Sequence, residues 1–320
     1  MAIDAFGRNI HYLRVSITDR CNFRCTYCMP AEGVKWLPPE EILTYEELQK
    51  VITTAVSLGI NKVRITGGEP LVRNGVVDFV ASVANIPGIK DLAMTTNGSL
   101  LEEYAGALKR AGLKRINISL DTLQREKFKK LCHKDELSKV LGGVAAAEKV
   151  GLLPIKINMV VIRGVNDNEI AELARLSISK PYQIRFIEYM PFNSLKKQAI
   201  TAEDMKIILN NNGLCSLVPE PLGDGPAQIY RLPGALGTIG FISPISKHFC
   251  NSCNRIRLTA DGKLKPCLLS NQEYDIKALL RRGAPNDHLA FLLKNAILEK
   301  PAKHFVATTI TARSMSQIGG

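Results

Sequence analysis

Six strand-then-helix units follow one another along the first 200 residues, with no linker between them. The strand patterns are HYLRVSI (11–17), KVRIT (62–66), DLAMTT (91–96), KRINISL (114–120), PIKINMVV (154–161) and YQIRFIE (182–188). Helical spacing fills the gaps. Thr44-Tyr-Glu-Glu47 has the form of a capping box, Leu48, Val51, Ile52 and Ala55 carry the apolar period, and Gly59 stops it. Further helices are expected over 76–84, about 100–111, up to Val150, and after Asn166-Asp167. Regular alternation of this kind calls for a parallel sheet with right-handed crossovers, either barrel-like or open and doubly wound.

Each unusual polar or glycine-rich cluster falls just after a strand: the loop Cys21–Cys28, then GGEP, TNG, SLD and EYMP. Singly, such glycines are ordinary turn formers. Five clusters at the same end of successive parallel strands point to one ligand site, because that edge is where parallel α/β folds bind.

Cys21, Cys25 and Cys28 are spaced C-x3-C-x2-C, so their thiolates can close on one side of a small metal centre. Three ligands are offered where a closed site needs four, which suits a thiolate iron–sulfur centre better than a structural zinc. A second group repeats the arrangement: Cys250-x2-Cys253, then Cys267 after thirteen intervening residues. For that group the spacing leaves two readings open, a zinc completed by His248 or a second iron–sulfur cluster. Cys132 and Cys215 fall in helix-like and strand-like stretches and are expected to be buried apolar residues.

After about residue 200 the pattern changes. Thr201-Ala-Glu-Asp204 opens one more helix, short strands alternate with Gly/Pro turns over 213–242, and helices are expected through 275–298. The organisation expected is therefore a partial barrel over 1–200 and a C-terminal region over 201–320 holding the second cysteine group. The tail TARSMSQIGG is polar and small and is expected to be mobile. There is no apolar run of membrane-spanning length and no signal-peptide core, and eight cysteines in a reducing cytoplasm argue for metal or catalysis over disulfides. The net charge of +12 is scattered, not gathered in an arm. That is compatible with a plain basic surface, with a pocket for a polyanion such as a nucleoside triphosphate, or on charge alone with nucleic acid.

C-x3-C-x2-C with Tyr27 before its last cysteine, then GGEP after the next strand, resembles the radical S-adenosylmethionine (SAM) superfamily. More closely, the chain is similar to the MoaA-type GTP 3′,8-cyclase family of molybdenum cofactor biosynthesis. The segments are FGRNIHYLRVSITDRCNFRCTYCMP, VRITGGEPLVR, TTNGSLL, INISLDTL, PIKINMVVIRGVNDNEI, RFIEYMP, FCNSCNRIRLTADGKLKPCL and the final IGG, in order along nearly the whole chain.

The resemblance implies an α/β fold, an incomplete (β/α)6 barrel with the C-terminal segment closing its open end. It implies two [4Fe–4S] clusters, one on Cys21, Cys25 and Cys28 binding SAM, the other on Cys250, Cys253 and Cys267 binding substrate. SAM contacts map onto Tyr27, Gly68, Ser119 and Met190. GTP contacts map onto Arg14, Arg64, Thr95, Lys156, Arg255, Ile256 and Arg257, and the tail glycines Gly319 and Gly320 enter the site. The implied reaction starts when a 5′-deoxyadenosyl radical takes the ribose C3′ hydrogen of GTP. Attack on guanine C8 follows and gives 3′,8-cyclo-7,8-dihydro-GTP. The partners expected with it are GTP, SAM, a low-potential electron donor, the next enzyme of the pathway and a second copy of the chain, with no membrane and no nucleic acid. Outside that resemblance, a radical SAM enzyme acting on RNA or peptide, and a zinc-stabilised nucleotide-binding module, fit the same charge and cysteine content.

Overall fold

The computed structural model describes residues 2–190, 198–220, 223–304 and 313–319, so Gly320 lies outside the described residues. β1 (Tyr12–Ser16) leads into the first cysteine loop and α1 (Tyr45–Ser57) follows it. The capping box is present: Thr44 accepts from the Glu47 amide, and Glu47 accepts from the Thr44 amide. Next come β2 (Lys62–Thr66), α2 (Val76–Ala84), β3 (Asp91–Thr96), α3 (Leu101–Arg110) and β4 (Arg115–Ser119). Two helices, α4 (Arg125–Cys132) and α5 (Leu137–Lys149), precede β5 (Lys156–Val161), α6 (Ile170–Ser179) and β6 (Gln183–Glu188). α7 (Ala202–Asn211) opens on a second capping box, Thr201 with Asp204. Then follow β7 (Val218–Pro219), β8 (Gln228–Arg231), β9 (Thr238–Ile242), β10 (Arg255–Leu258), β11 (Lys263–Lys265) and β12 (Tyr274–Asp275). The helices α8 (Ile276–Arg281), α9 (Asn286–Leu298) and α10 (Met315–Ile318) complete the chain.

Two compact units form, and they cut across a division at residue 200: one holds 1–96, 104–114 and 250–320, the other 97–103 and 115–249. Strand pairing is the reason. β9 lies parallel beside β6, whereas β10 returns to lie parallel beside β1.

In the first unit β10, β1, β2 and β3 are parallel neighbours in that order, and β11 and β12 extend the β10 edge antiparallel. Side chains alternate between the two faces. One face carries Leu13, Val15, Val63, Ile65, Leu92, Met94, Ile256 and Leu258, each no more than 1% exposed. Each such side chain contributes about 1.5–3 kcal/mol on burial. The other face is polar, a division a two-sided apolar sheet would not need.

In the second unit the parallel run is β4, β5, β6 and β9, with β8 and β7 added antiparallel. Ile118, Ile157, Met159, Ile184, Phe186, Ile239 and Phe241 fill one face. Each unit's run of strands ends on an edge strand, β12 in one and β7 in the other, so neither closes on itself.

Two local expectations change. Cys132 is buried as expected, but Cys215 is exposed: it sits in the connection between α7 and β7, where its thiol donates to the Asn210 carbonyl. The polar tail, expected to be mobile, carries a short helix in its described residues, with Ser316 3% and Ile318 1% exposed. One apolar residue and one arginine, Ile318 and Arg313, anchor it, the latter paired with Asp261 at 2.9 Å and Glu273 at 2.8 Å. Among the described residues no helix is long and apolar enough to cross a membrane.

Replacing Thr44 by Ala removes the side-chain half of the α1 capping box, the hydroxyl that accepts from the Glu47 amide, and keeps the backbone half. It should lower the unfolding free energy by about 1 kcal/mol, seen as a reduced midpoint with unchanged slope in urea.

Candidate active site

The first cysteine loop starts where β1 ends and is fixed before any metal is considered. Leu37 N donates to Asp19 Oδ2 at 2.7 Å, closing the loop at its neck. Within it, Cys28 N and Met29 N both donate to the Cys25 carbonyl, and Phe23 and Met29 are buried as anchors. Cys21, Cys25, Tyr27 and Cys28 remain partly exposed. The GGEP turn braces the same stem. Gly68 N donates to Thr18 O at 2.7 Å and Glu69 N to Arg20 O at 2.8 Å. A Cβ on Gly68 would lie 2.4 Å from the Arg20 carbonyl, so the close approach that requires glycine here is to the chain itself. Glu69 is fully buried and accepts from Leu71 N and Thr96 Oγ1.

The polar face of the first unit gathers five of the sequence-predicted nucleotide contacts. Register places Arg257, Arg14 and Arg64 opposite one another across β10, β1 and β2. Arg255 is one row behind them, opposite Tyr12. Thr95 shares the face through β3, whose Ala93 stands opposite Arg64. Its Oγ1 is buried with no hydrogen-bond partner among the described residues. Arg64 and Lys62 both lie over the Tyr12 ring, at 5.4 and 5.3 Å. Ile256 faces the other way and is 0% exposed, so it can offer a ligand only its backbone.

Crowding of like charge shows in the acidities. Burial first, then Arg257 and Arg64, hold the Arg14 guanidinium well below its ordinary value. Burial and then Arg255 bring Arg257 down to about 10. Arg257 also donates to the Gly319 carbonyl at 2.9 Å, which sets the tail at the ends of β1 and β2. A Cβ on Gly319 would meet Thr66 Oγ1 at 2.6 Å and Ser16 Cβ at 2.9 Å. Gly319 therefore lies against Arg257, Thr66 and Ser16.

The second cysteine group lies in the same unit, with Cys250 in a short turn before β10 and Cys267 just after β11. Burial would raise the Cys253 thiol, but Arg255 and Lys300 outweigh it and bring it to about 7. Cys21 shows the opposite balance, pushed far up by burial and then by Glu69. The histidine beside this group is His304, whose Nδ1 is 3.1 Å from Cys250 Sγ. His248, the candidate from spacing, has its Nδ1 3.0 Å from the Pro244 carbonyl.

In the second unit Lys156 and Ser119 lie on the polar face with Asn117, Asn158, Gln183 and Arg185. Sequence reasoning missed Asn158 and Arg185. Asn158 Oδ1 is buried with no partner among the described residues, and Arg185, 6% exposed, donates to Gln183. Their signal was present as polar residues at alternate positions of otherwise apolar strands. Met190 is partly exposed at the last described position before 191–197. The acids of the strand-end clusters serve the fold. Asp121 accepts from Val160 N at 2.8 Å. Glu188 accepts from the amides of Ala202 and Ser246, both at 3.0 Å.

A family model described as the radical SAM superfamily matches residues 15–177, and one described as molybdenum cofactor synthesis C matches 182–306. The chain is 51% identical over 326 aligned residues to a GTP 3′,8-cyclase of Heliobacterium modesticaldum, covering 99% of this chain and 100% of that one. It is 48% identical to a GTP 3′,8-cyclase of Alkaliphilus metalliredigens, with 99% of both chains covered. Among solved structures, Streptococcus suis SuiB bound to S-adenosylmethionine matches with a TM-score of 0.61 at 15% identity, over 89% of this chain and 68% of that one. That likeness is one of fold.

The opposed thiol acidities give a measurable contrast in metal-free protein. Iodoacetamide at about pH 8 should alkylate Cys253 well ahead of Cys21, because only the thiolate reacts. The Cys253 rate should climb through about pH 7 as that thiolate forms. Peptide mapping by mass spectrometry reads both sites, and equal rates would contradict the assigned electrostatics.

Proposed function

The chain belongs to the radical SAM superfamily and, within it, to the GTP 3′,8-cyclase family, and on that premise we propose that it converts GTP to 3′,8-cyclo-7,8-dihydro-GTP, the first step of molybdenum cofactor biosynthesis. The observation that carries this reading is the row Arg257–Arg14–Arg64. Three cations opposite one another destabilise a bare sheet. A triphosphate relieves that repulsion and takes guanidinium forks in charge-assisted, bidentate geometry.

The donor sets also fit the cofactors. Cys21, Cys25 and Cys28 are soft thiolate ligands on a loop whose shape is fixed by its own backbone, and they would hold one iron–sulfur cluster with SAM. Cys250, Cys253 and Cys267 would hold a second, where Arg255 and Lys300 already favour a thiolate. Bound there, the cluster and SAM supply one-electron cleavage of SAM, which initiates hydrogen abstraction from the ribose.

The chain's own residues supply placement. Arg14, Arg64, Arg255 and Arg257 grip phosphates, while Thr95 and Lys156 add a hydroxyl and a further cation to the nucleotide contacts. Ile256 contributes backbone only. Tyr27, Gly68, Ser119 and Met190 form the SAM contacts. Gly319 brings backbone into space where a side chain would clash, and we extend that role to Gly320, which lies outside the described residues. The arrangement takes an electron from a low-potential donor in the cytoplasm, hands its product to a downstream enzyme, and works as a pair of identical chains.

Anaerobic reconstitution should give about eight irons per chain, and incubation with SAM, reductant and GTP should yield the cyclised nucleotide by mass spectrometry. Abundant 5′-deoxyadenosine without a nucleotide product would overturn the reading. Cys25→Ala should abolish SAM cleavage, whereas Cys253→Ala should leave some uncoupled cleavage and lose cyclisation. Arg14→Met removes charge-assisted contacts of about 1.5–3 kcal/mol. It should raise the KM for GTP by about tenfold to a hundredfold while SAM cleavage persists, and an unchanged KM would remove the row from the substrate site.

A further inference from the structure

Two buried cations outside the guanidinium row converge on the second cysteine group. Arg8, 8% exposed, donates to the Cys250 carbonyl at 2.8 Å and to the carbonyls of Lys300, Pro301 and Ala302 at 3.3, 2.8 and 3.2 Å. Its charge is matched by Asp4 at 2.5 Å. Lys300, 3% exposed, donates to the Arg255 carbonyl at 2.9 Å and to the Pro266 carbonyl at 2.6 Å. Arg255 lies two residues beyond Cys253, and Pro266 immediately precedes Cys267. One ammonium therefore ties together the two arms that carry these cysteines.

Lys300 differs from Arg8 in one respect: among the described residues no carboxylate pairs with it. Carbonyl oxygens orient a buried ammonium but do not neutralise it, and an unmatched buried charge is costly. The groups on those arms that carry negative charge when they ligate a metal are the sulfurs of Cys253 and Cys267.

We propose that Lys300 is the counter-cation and positioning residue of the Cys250–Cys253–Cys267 site, holding its two arms in register and setting the reduction potential of the cluster bound there. This rests on the reading that these three cysteines carry an iron–sulfur cluster. Reduction would add one negative charge to such a centre, and a cation fixed on the backbone beside its ligands would stabilise the reduced form, so the lysine would raise the potential. Outer partners that orient metal ligands govern metal retention as well.

The test uses the full chain with Cys21→Ala, Cys25→Ala and Cys28→Ala, which leaves only the second group. That protein and its Lys300→Met and Lys300→Arg derivatives are reconstituted anaerobically, titrated by EPR against redox mediators, and challenged with an iron chelator. Lys300→Met should shift the midpoint to lower potential and release iron about tenfold faster or more. Lys300→Arg, which keeps the charge, should retain most of the parent potential and iron. A parent-like midpoint in Lys300→Met would overturn the proposal. Should Lys300→Met hold no iron at all, the arginine variant decides: restored iron supports the counter-cation, and equal loss overturns it. A parent protein that takes up no iron would overturn the cluster reading itself, and the inference with it.

Discussion

Repulsion among Arg257, Arg14 and Arg64 is the constraint on which the site depends. Neighbouring strands run about 4.8 Å apart. At an effective dielectric of about 20, two unit charges 6 Å apart repel by roughly 3 kcal/mol, a large share of a net folding stability of about 5–15 kcal/mol. The apolar reverse of the same strands, with Leu13, Val63 and Ile256 fully buried, is what lets the sheet carry that cost. A polyanion bound on this face would turn the repulsion into binding, and substrate affinity and sheet stability would then draw on the same residues. The Gly319 carbonyl on Arg257 offers a partial answer to the same demand, a neutral acceptor that satisfies one donor and leaves the charge.

The position of β10 makes the row possible. Arg257 comes from a segment more than 240 residues after Arg14, yet parallel pairing puts them directly opposite. The same pairing brings the second cysteine group into the compact unit that holds the first. Arg8 and Lys300 secure that return by binding backbone carbonyls of the cysteine arms.

Much of this was legible in the sequence, because strand and helix periods are local. The six strand patterns recur as strands within two residues of their expected ends, and both Thr44 and Thr201 cap helices as their spacing requires. Pairing is not local. Arg255-Ile256-Arg257 reads as one binding segment, and only the register of β10 on β1 shows that its middle residue belongs to the core. His304 and Lys300 carry no spacing signal, since each reaches the cysteines from a distant part of the chain. Cys215 was misplaced because a short apolar run in a connection looks like a strand, and the tail because composition averages away one Ile318 and one Arg313.

The acids near the strand ends show how labour is divided. Glu69 caps the turn after β2, Asp121 binds a β5 amide, and Glu188 holds the start of α7. Glu169, 1% exposed, secures Thr122 and Leu123 N. Each accepts from groups that would otherwise be unsatisfied in the interior, so each is committed to shape. In the first unit the groups proposed to face a ligand are cations, thiols and a threonine hydroxyl. Such a set suits gripping an anion and ligating iron, and offers little for proton transfer by a carboxylate. A protein whose bound cofactors carry the difficult bond-breaking needs that allocation: its polar side chains place the reactants, and its acids keep the loops that hold them rigid.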